Sequence, residues 1–262
     1  MRASQPALLA AGRVITELRD QMVVQWADWL GDRITAAPTI PRPTVEREFR
    51  LLLDVIAEMV GPLRREVNTI WFTVCEHYGR VAAARGLAAG EVVEELQFLR
   101  ELLIRNLAPV LAAMRARQGM AIMLRLNRVI DKGIAVAVVG YTDALVATLF
   151  AQNGVPALDT EYDAGEVVEE LQFLRELLIS NLAPVLAAMR ARQGMAIMLR
   201  LNRVIDKGIA VAVVGYTDAL VATLFAQNGV PALDTEYDAG EVERQLDGIE
   251  QELHAIVKQQ AR

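Results

Sequence analysis

An all-α fold, a helical bundle carrying a duplicated helical hairpin and a C-terminal helix, follows from three properties of this sequence. Leu, Ala, Val, Arg and Glu dominate while aromatic residues make up only 5%, a composition of helix formers with little strand chemistry. Apolar residues recur at spacings of three and four through most of the chain. Gly90 to Ala164 recurs as Gly165 to Ala239 with one difference, Arg105 against Ser180. Removing one copy from the 262 residues leaves 187 (262 minus 75), the size of one helical domain with an appended helix. The organisation read from this is a domain over 1–164, made of N-terminal helices 1–89 and a first hairpin 90–164. A duplicated hairpin follows at 165–239, then a C-terminal amphipathic helix at 240–262.

The first tract, Ala7 to Ala36, places Leu9, Val14, Leu18, Val23, Trp26 and Leu30 at helical spacings. Pro38, Pro41 and Pro43 end it, and Thr44 is placed to cap a second helix carrying Phe49, Leu52, Leu53, Ile56 and Met59. Gly61 and Pro62 separate this from a third tract, Leu63 to Arg85, which Gly86 stops. Each repeat then reads as two antiparallel helices, in the first copy Glu91 to Met114 and a long helix to Phe150. Gln118 and Gly119 form the turn, and Leu96, Leu99, Leu103, Leu107 and Leu111 face inward. Asn153, Gly154 and Pro156 mark the linker between copies. Val242, Leu246, Ile249, Leu253 and Ile256 form a short heptad seam in the last helix, suited to packing on the bundle or to dimerisation.

Ala-Gly-Glu-Val stands at all three junctions, Ala89 to Val92, Ala164 to Val167 and Ala239 to Val242. Near-identity of the copies points to a recent or engineered event rather than to a drifted solenoid. Asp163 with Glu166, and Asp238 with Glu241, make acidic capping boxes that start a helix anew, whereas Ala88 holds that place at the first junction. Two hairpins of one sequence then compete for one N-terminal core. One can dock in cis while its copy folds back on it, imitating a homodimer, or the spare can dock on another chain as a swapped dimer. A dimer built on paired hairpins is the expected assembly. Leu96, Leu99, Leu103 and Leu107 are its expected surface, with Asn127, Asn202 and the single difference Arg105/Ser180 beside them. That difference lies four residues before Pro109 and Pro184, whose missing N–H leaves a helix carbonyl free.

Candidate chemistry is sparse. Trp71, Cys75 and His77 are the one grouping that could bind a ligand, such as a haem or other tetrapyrrole or an apolar small molecule, and a structural or solvent-facing histidine is the plainer reading. His254 falls on the polar side of the last helix. Glu91, Glu94 and Glu95, with their copies, lack the histidine a di-iron bundle needs and suit a solvated first turn. Asn127, Arg128, Asp131 and Lys132 form a polar break that could bind a partner or set register, although a solvent face with spaced ion pairs is the reading preferred on spacing. Tyr141, in the most apolar stretch, suits a buried hydrogen bond. No P-loop, GxSxG, HExxH or glycine-rich dinucleotide turn occurs, so an enzyme is not expected and no cofactor or metal is required.

Charge and patterning exclude further classes. The net charge of −6 is spread along the helices, which leaves no basic stripe for nucleic acid. Gly133 to Phe150 is eighteen residues with one charge, but Asp143, like Asp218 in the copy, would cost roughly 2.5 to 3.5 kcal/mol near mid-bilayer, so a buried helix is expected rather than a membrane span. A single cysteine excludes an internal disulfide and, with no export signal evident, fits a cytoplasmic setting.

The run His77 to Leu107, "HYGRVAAARGLAAGEVVEELQFLRELLIRNL", resembles the N-terminal sensory domain of the RsbT co-antagonist family. The likeness lies in a helix ending in a basic, Ala-rich segment and Gly, followed by a Glu- and Leu-rich helix with the pair Leu99 and Arg100. It covers about Ala7 to Phe150 once. The resemblance implies a globin-like helical sensor domain, dimeric and bacterial, that works on a signalling protein. The duplicated hairpin and the absence of an output module after Asp238 depart from that pattern. The function expected from these readings is a non-catalytic signalling or regulatory module acting through helix packing and homo-oligomerisation, the duplication altering assembly; the alternative is a ligand-binding sensor.

Overall fold

A computed structural model describes residues 3–31, 40–153, 164–189, 191–228 and 239–260 of the chain. Among these the chain is all-α. The elements are α1 (Gln5–Glu17), α2 (Arg19–Gly31), α3 (Arg42–Val60), a 3-10 turn (Pro62–Arg65), α4 (Asn68–Ala84), α5 (Ala89–Ala113), α6 (Ala116–Asn153), α7 (Ala164–Ala188), α8 (Ala191–Asn228) and α9 (Ala239–Gln260). No helix among the described residues is long and apolar enough to cross a membrane.

Three boundaries differ from those the sequence suggests. The first tract is two helices, because Leu18 leaves helical geometry and its N–H closes onto the Val14 and Thr16 carbonyls; no Gly or Pro marks that break. Thr44 lies inside the first turn of α3 rather than capping it: Pro41 is the N-cap, its carbonyl accepts from the Thr44 N–H at 3.0 Å, and Pro43 occupies a first-turn site where no donor is lost. The hairpin turn falls at Met114 and Arg115, and Gln118 and Gly119 belong to α6. Gly119 is there for proximity, since a Cβ would lie 3.0 Å from the Leu111 carbonyl oxygen, and Gly194 repeats the contact with Leu186 at the same distance.

Gly86 ends α4 as expected. Its φ of 76° is left-handed, and the Leu87 and Gly86 N–H groups bond back to the Ala82 and Ala83 carbonyls, a Schellman closure. Helix α5 starts three residues later, its Ala88 N–H donating to Glu91 Oε2 at 2.7 Å, so the acid three positions on replaces the missing side-chain cap. The caps expected from Asp163 and Asp238 lie outside the described residues, as does most of the linker between the hairpins, 154–163.

The N-terminal helices seat on the first hairpin. Helix α4 runs along α6, with α3 behind it and α1 against α5. Contact between α4 and α6 is at backbone range: a Cβ on Gly79 would lie 1.9 Å from the Ala137 oxygen, one on Gly140 2.3 Å from the Glu76 oxygen, and one on Gly133 2.3 Å from the Trp71 ring. Trp71 Nε1 donates to the Val129 carbonyl at 3.0 Å, and Arg125 caps the end of α3 by donating to the Met59 and Gly61 carbonyls at 3.1 and 2.6 Å. Trp26 stacks on Phe49 with centroids 4.3 Å apart, fastening α2 to α3. Helix α9 lies on α3 and α4: Leu246 is fully buried, and Arg47 holds Glu250 through two bonds of 2.8 and 2.7 Å and Asp247 at 2.5 Å. Of the two roles open to its heptad seam, packing on the bundle is the one seen.

Candidate assembly interface

The two hairpins pack on each other as a four-helix unit, α5 against α8 and α6 against α7. The buried positions of the second copy define this face: Val168, Gln172, Arg175, Ile179 and Ala183 on α7, and Met198, Asn202, Asp206, Ile209, Val213 and Thr217 on α8. Spacings of three and four place each set on a single helical stripe.

At the centre four charges close a ring. Arg100 bonds Asp131 at 2.5 Å and also Asp206; Arg175 bonds the same two carboxylates. Arg100 is 1% and Arg175 0% exposed. Burial lowers the Arg175 guanidinium to about 10, with Arg100 adding to the effect and the aspartates opposing it, while burial raises the Asp131 carboxyl against the pull of both arginines. Two cations and two anions balance, so the ring adds no net charge to the interior.

Around the ring the contacts on either side come in pairs, offset by 75 positions. Gln97 donates to the Asp206 carbonyl at 2.6 Å, and Gln172 to the Asp131 carbonyl at 2.5 Å. Arg128 Nε reaches Glu176 at 3.0 Å, and Arg203 Nε reaches Glu101 at 3.3 Å. Asn202 donates to Asn127 Oδ1 at 3.3 Å, an asparagine meeting its own copy on the axis. Residue i of one copy touching j of the other, while j touches i, is the rule of an isologous two-fold interface. A buried asparagine pair at such an axis fixes register at a cost in stability, here visible as the unpaired Asn127 Nδ2 and Asn202 Oδ1.

The residues singled out by sequence divide between three places. Asn127 and Asn202 stand at the centre of this interface, each 3% exposed. That overturns the preference for a solvent face at two of the four members of the polar break: Asn127 and Asp131 are buried against Asn202 and Arg175 of the other copy, while Arg128 and Lys132 stay exposed. Leu96, Leu99, Leu103 and Leu107 are buried, as an inward face requires, but on the side covered by the N-terminal helices; their copies Leu174, Leu178 and Leu182 are exposed. The pairing surface is instead the stripe of Gln97, Arg100 and Ile104. Sequence reasoning missed Arg100 and Arg175, although an arginine among leucines spaced to face Asp131 was the available signal. Arg105 and Ser180 both point outward, Arg105 pairing with Glu101 one turn back and Ser180 lining a groove with Arg64, Arg65, Arg125 and Pro184.

Trp71, Cys75 and His77 are buried between α3, α4 and α6. His77 Nδ1 lies 2.7 Å from Glu48 Oε1, and none of the three residues lines any of the three cavities described. A tetrapyrrole there would have to part α4 from α6. One of those cavities is apolar and lies at the hairpin tips, between Met114, Met120 and Met123 and their copies Met189, Met195 and Met198. Tyr141 makes the buried bond expected of it, donating to the Leu87 carbonyl at 2.8 Å, and His254 is exposed. In the core Tyr78 donates to Glu95, which also holds Arg85 at 2.6 and 2.9 Å, so Glu95 is buried with partners rather than part of a solvated first turn. No group of three or more His, Cys, Asp and Glu side chains among the described residues could hold a metal ion.

Burial, reinforced by the Glu48 charge, pushes the Cys75 thiol well above its ordinary value. The native protein is therefore expected to resist an aromatic disulfide reagent at pH 8 and to react with one equivalent once denatured. Rapid labelling of the native protein would contradict this packing.

Comparison with known proteins gives no matching family model, no matching curated protein and no matching solved structure.

Proposed function

We propose that this chain is a non-catalytic regulatory module of signalling type that acts by helix packing, and that its two hairpins reproduce in one chain the interface of a homodimer. The observation that carries the reading is the two-fold Arg100–Asp131–Arg175–Asp206 ring with its paired contacts. An interface with self-complementary halves is what symmetric dimerisation selects, and one chain alone has no need of it. The likeness of His77 to Leu107 to a sensory domain supports the signalling part, and the globin-like arrangement belongs to that likeness.

Removing 165–239 tests this. The shortened chain keeps Arg100, Asp131, Gln97 and Asn127 but loses their partners in cis, so it is expected to run as a dimer in light scattering. Adding Arg100→Met should weaken that dimer strongly, because two buried carboxylates then face no guanidinium. A shortened chain that folds and is monomeric at high micromolar concentration would overturn the proposal.

A further inference from the structure

The second hairpin carries a bare copy of a face that is covered in the first. Val129, Gly133 and Gly140 lie under α4, with Gly133 against the Trp71 ring and Gly140 against the Glu76 backbone. Their copies Val204, Gly208 and Gly215 are open: Val204 is 72% exposed, and a Cβ on either glycine would meet nothing within 4 Å. With Val211, 64% exposed, these residues form a stripe spaced 4, 3 and 4 along α8. On the same hairpin α7 exposes Phe173 (65%) and Leu177 (45%). Exposed apolar stripes of this kind are where partner helices dock.

What covers it follows from stoichiometry. Each chain has one set of N-terminal helices, and that set is committed to its own first hairpin through Trp71, Arg125 and the glycine contacts of α4. Moving it to a second hairpin would bare the first and gain nothing. In a solution of this protein the uncommitted surface of matching character is the same face on another copy.

The stripe also fits itself. In an antiparallel α8 pair whose two-fold axis passes between Gly208 and Val211, Gly208 meets Val211 and Val204 meets Gly215, so each valine enters the gap left by a glycine. The same alignment brings Arg200 at one end to within one residue of the level of Asp218 at the other, both exposed. The first hairpin demonstrates that this valine-glycine stripe takes a helix at backbone range. We infer that a second copy of the chain docks here, α8 against α8, closing an isologous dimer through the bare face of the second hairpin. This rests on the reading that the chain works by helix packing, but uses a surface opposite to the arginine ring.

Light scattering on the full chain and on V204E/V211E tests it. The full chain is expected at twice its 28.8 kDa mass, and the variant as a monomer of unchanged helicity, since both sites are solvent-facing in the single chain. A lysine pair, V204K/V211K, serves if the glutamate variant precipitates. A monomeric full chain, or a dimer that both variants leave intact, overturns the inference. Its failure is separable from that of the proposed function, because the chain lacking 165–239 has no α8 stripe and reports on the ring alone.

Discussion

Gly140→Ala is expected to destabilise the protein by about 3 kcal/mol, whereas Gly215→Ala, the same change in the same local sequence, is expected to be neutral or slightly stabilising. At Gly140 the new methyl would lie 2.3 Å from the Glu76 carbonyl oxygen. A backbone atom cannot rotate away, so α4 and α6 must separate along a contact that seats the whole N-terminal set of helices. At Gly215 nothing lies within 4 Å, and alanine gains about 0.5–1 kcal/mol from its better helix propensity. In a chain of this size the difference is about 10 °C in Tm. Both changes are best made in the V204E/V211E background, which removes the contact proposed between Gly215 and a second copy. Equal melting temperatures would mean that the two hairpins are equally covered, against the arrangement described.

Arg100→Met is expected to have an effect at least as large. It leaves Asp131 and Asp206 sharing one guanidinium in a site where burial already raises the Asp131 carboxyl. Stripping one partner from a buried ion network costs about 3–5 kcal/mol, since the remaining charges stay desolvated. Replacing all four members by apolar residues, Arg100→Met, Arg175→Met, Asp131→Leu and Asp206→Leu, is expected to recover most of that loss. What the fourfold variant should lose is selectivity of pairing. The ring is a poor source of net stability but penalises any register in which an arginine lacks its aspartate. Denaturant melts of the single and fourfold variants decide it: a single substitution costing less than about 1 kcal/mol would mean the ring is not closed and buried as described.

The helices were legible in the sequence because their periodicity is strong, and the Gly86 stop because only a left-handed turn residue satisfies it. The break at Leu18 was not, since an α1–α2 corner held by tertiary packing needs no special residue. The turn at Met114 and Arg115 was misplaced for the opposite reason: Gly119, which looks like a turn residue, is a glycine of close approach. The interface was half legible. Duplication announces that like faces are present twice, but a single-chain reading sees Leu96 and Arg100 as rival candidates for one surface. Only the second copy, where Leu171 is half-buried and Arg175 fully so, separates the face that meets the N-terminal helices from the face that meets the other hairpin. Asn127 and Asp131 read as solvent-facing because Asn202 and Arg175, which meet them, lie in the other copy, near an axis that sequence spacing does not reveal.

The tight Gly86 turn between α4 and α5 also favours an order of events in time. Synthesis proceeds from the N-terminus at about 5–20 residues per second, and domains begin to fold as they emerge. Helices α1 to α4 leave the ribosome joined by a few residues to the first hairpin, which follows at once, while the second hairpin is still to be made. A first hairpin that docks as it emerges takes that seat before its copy is made. On that order, near-identical sequences acquire different fates from their place in the queue, one as the floor of a core and the other as an open surface.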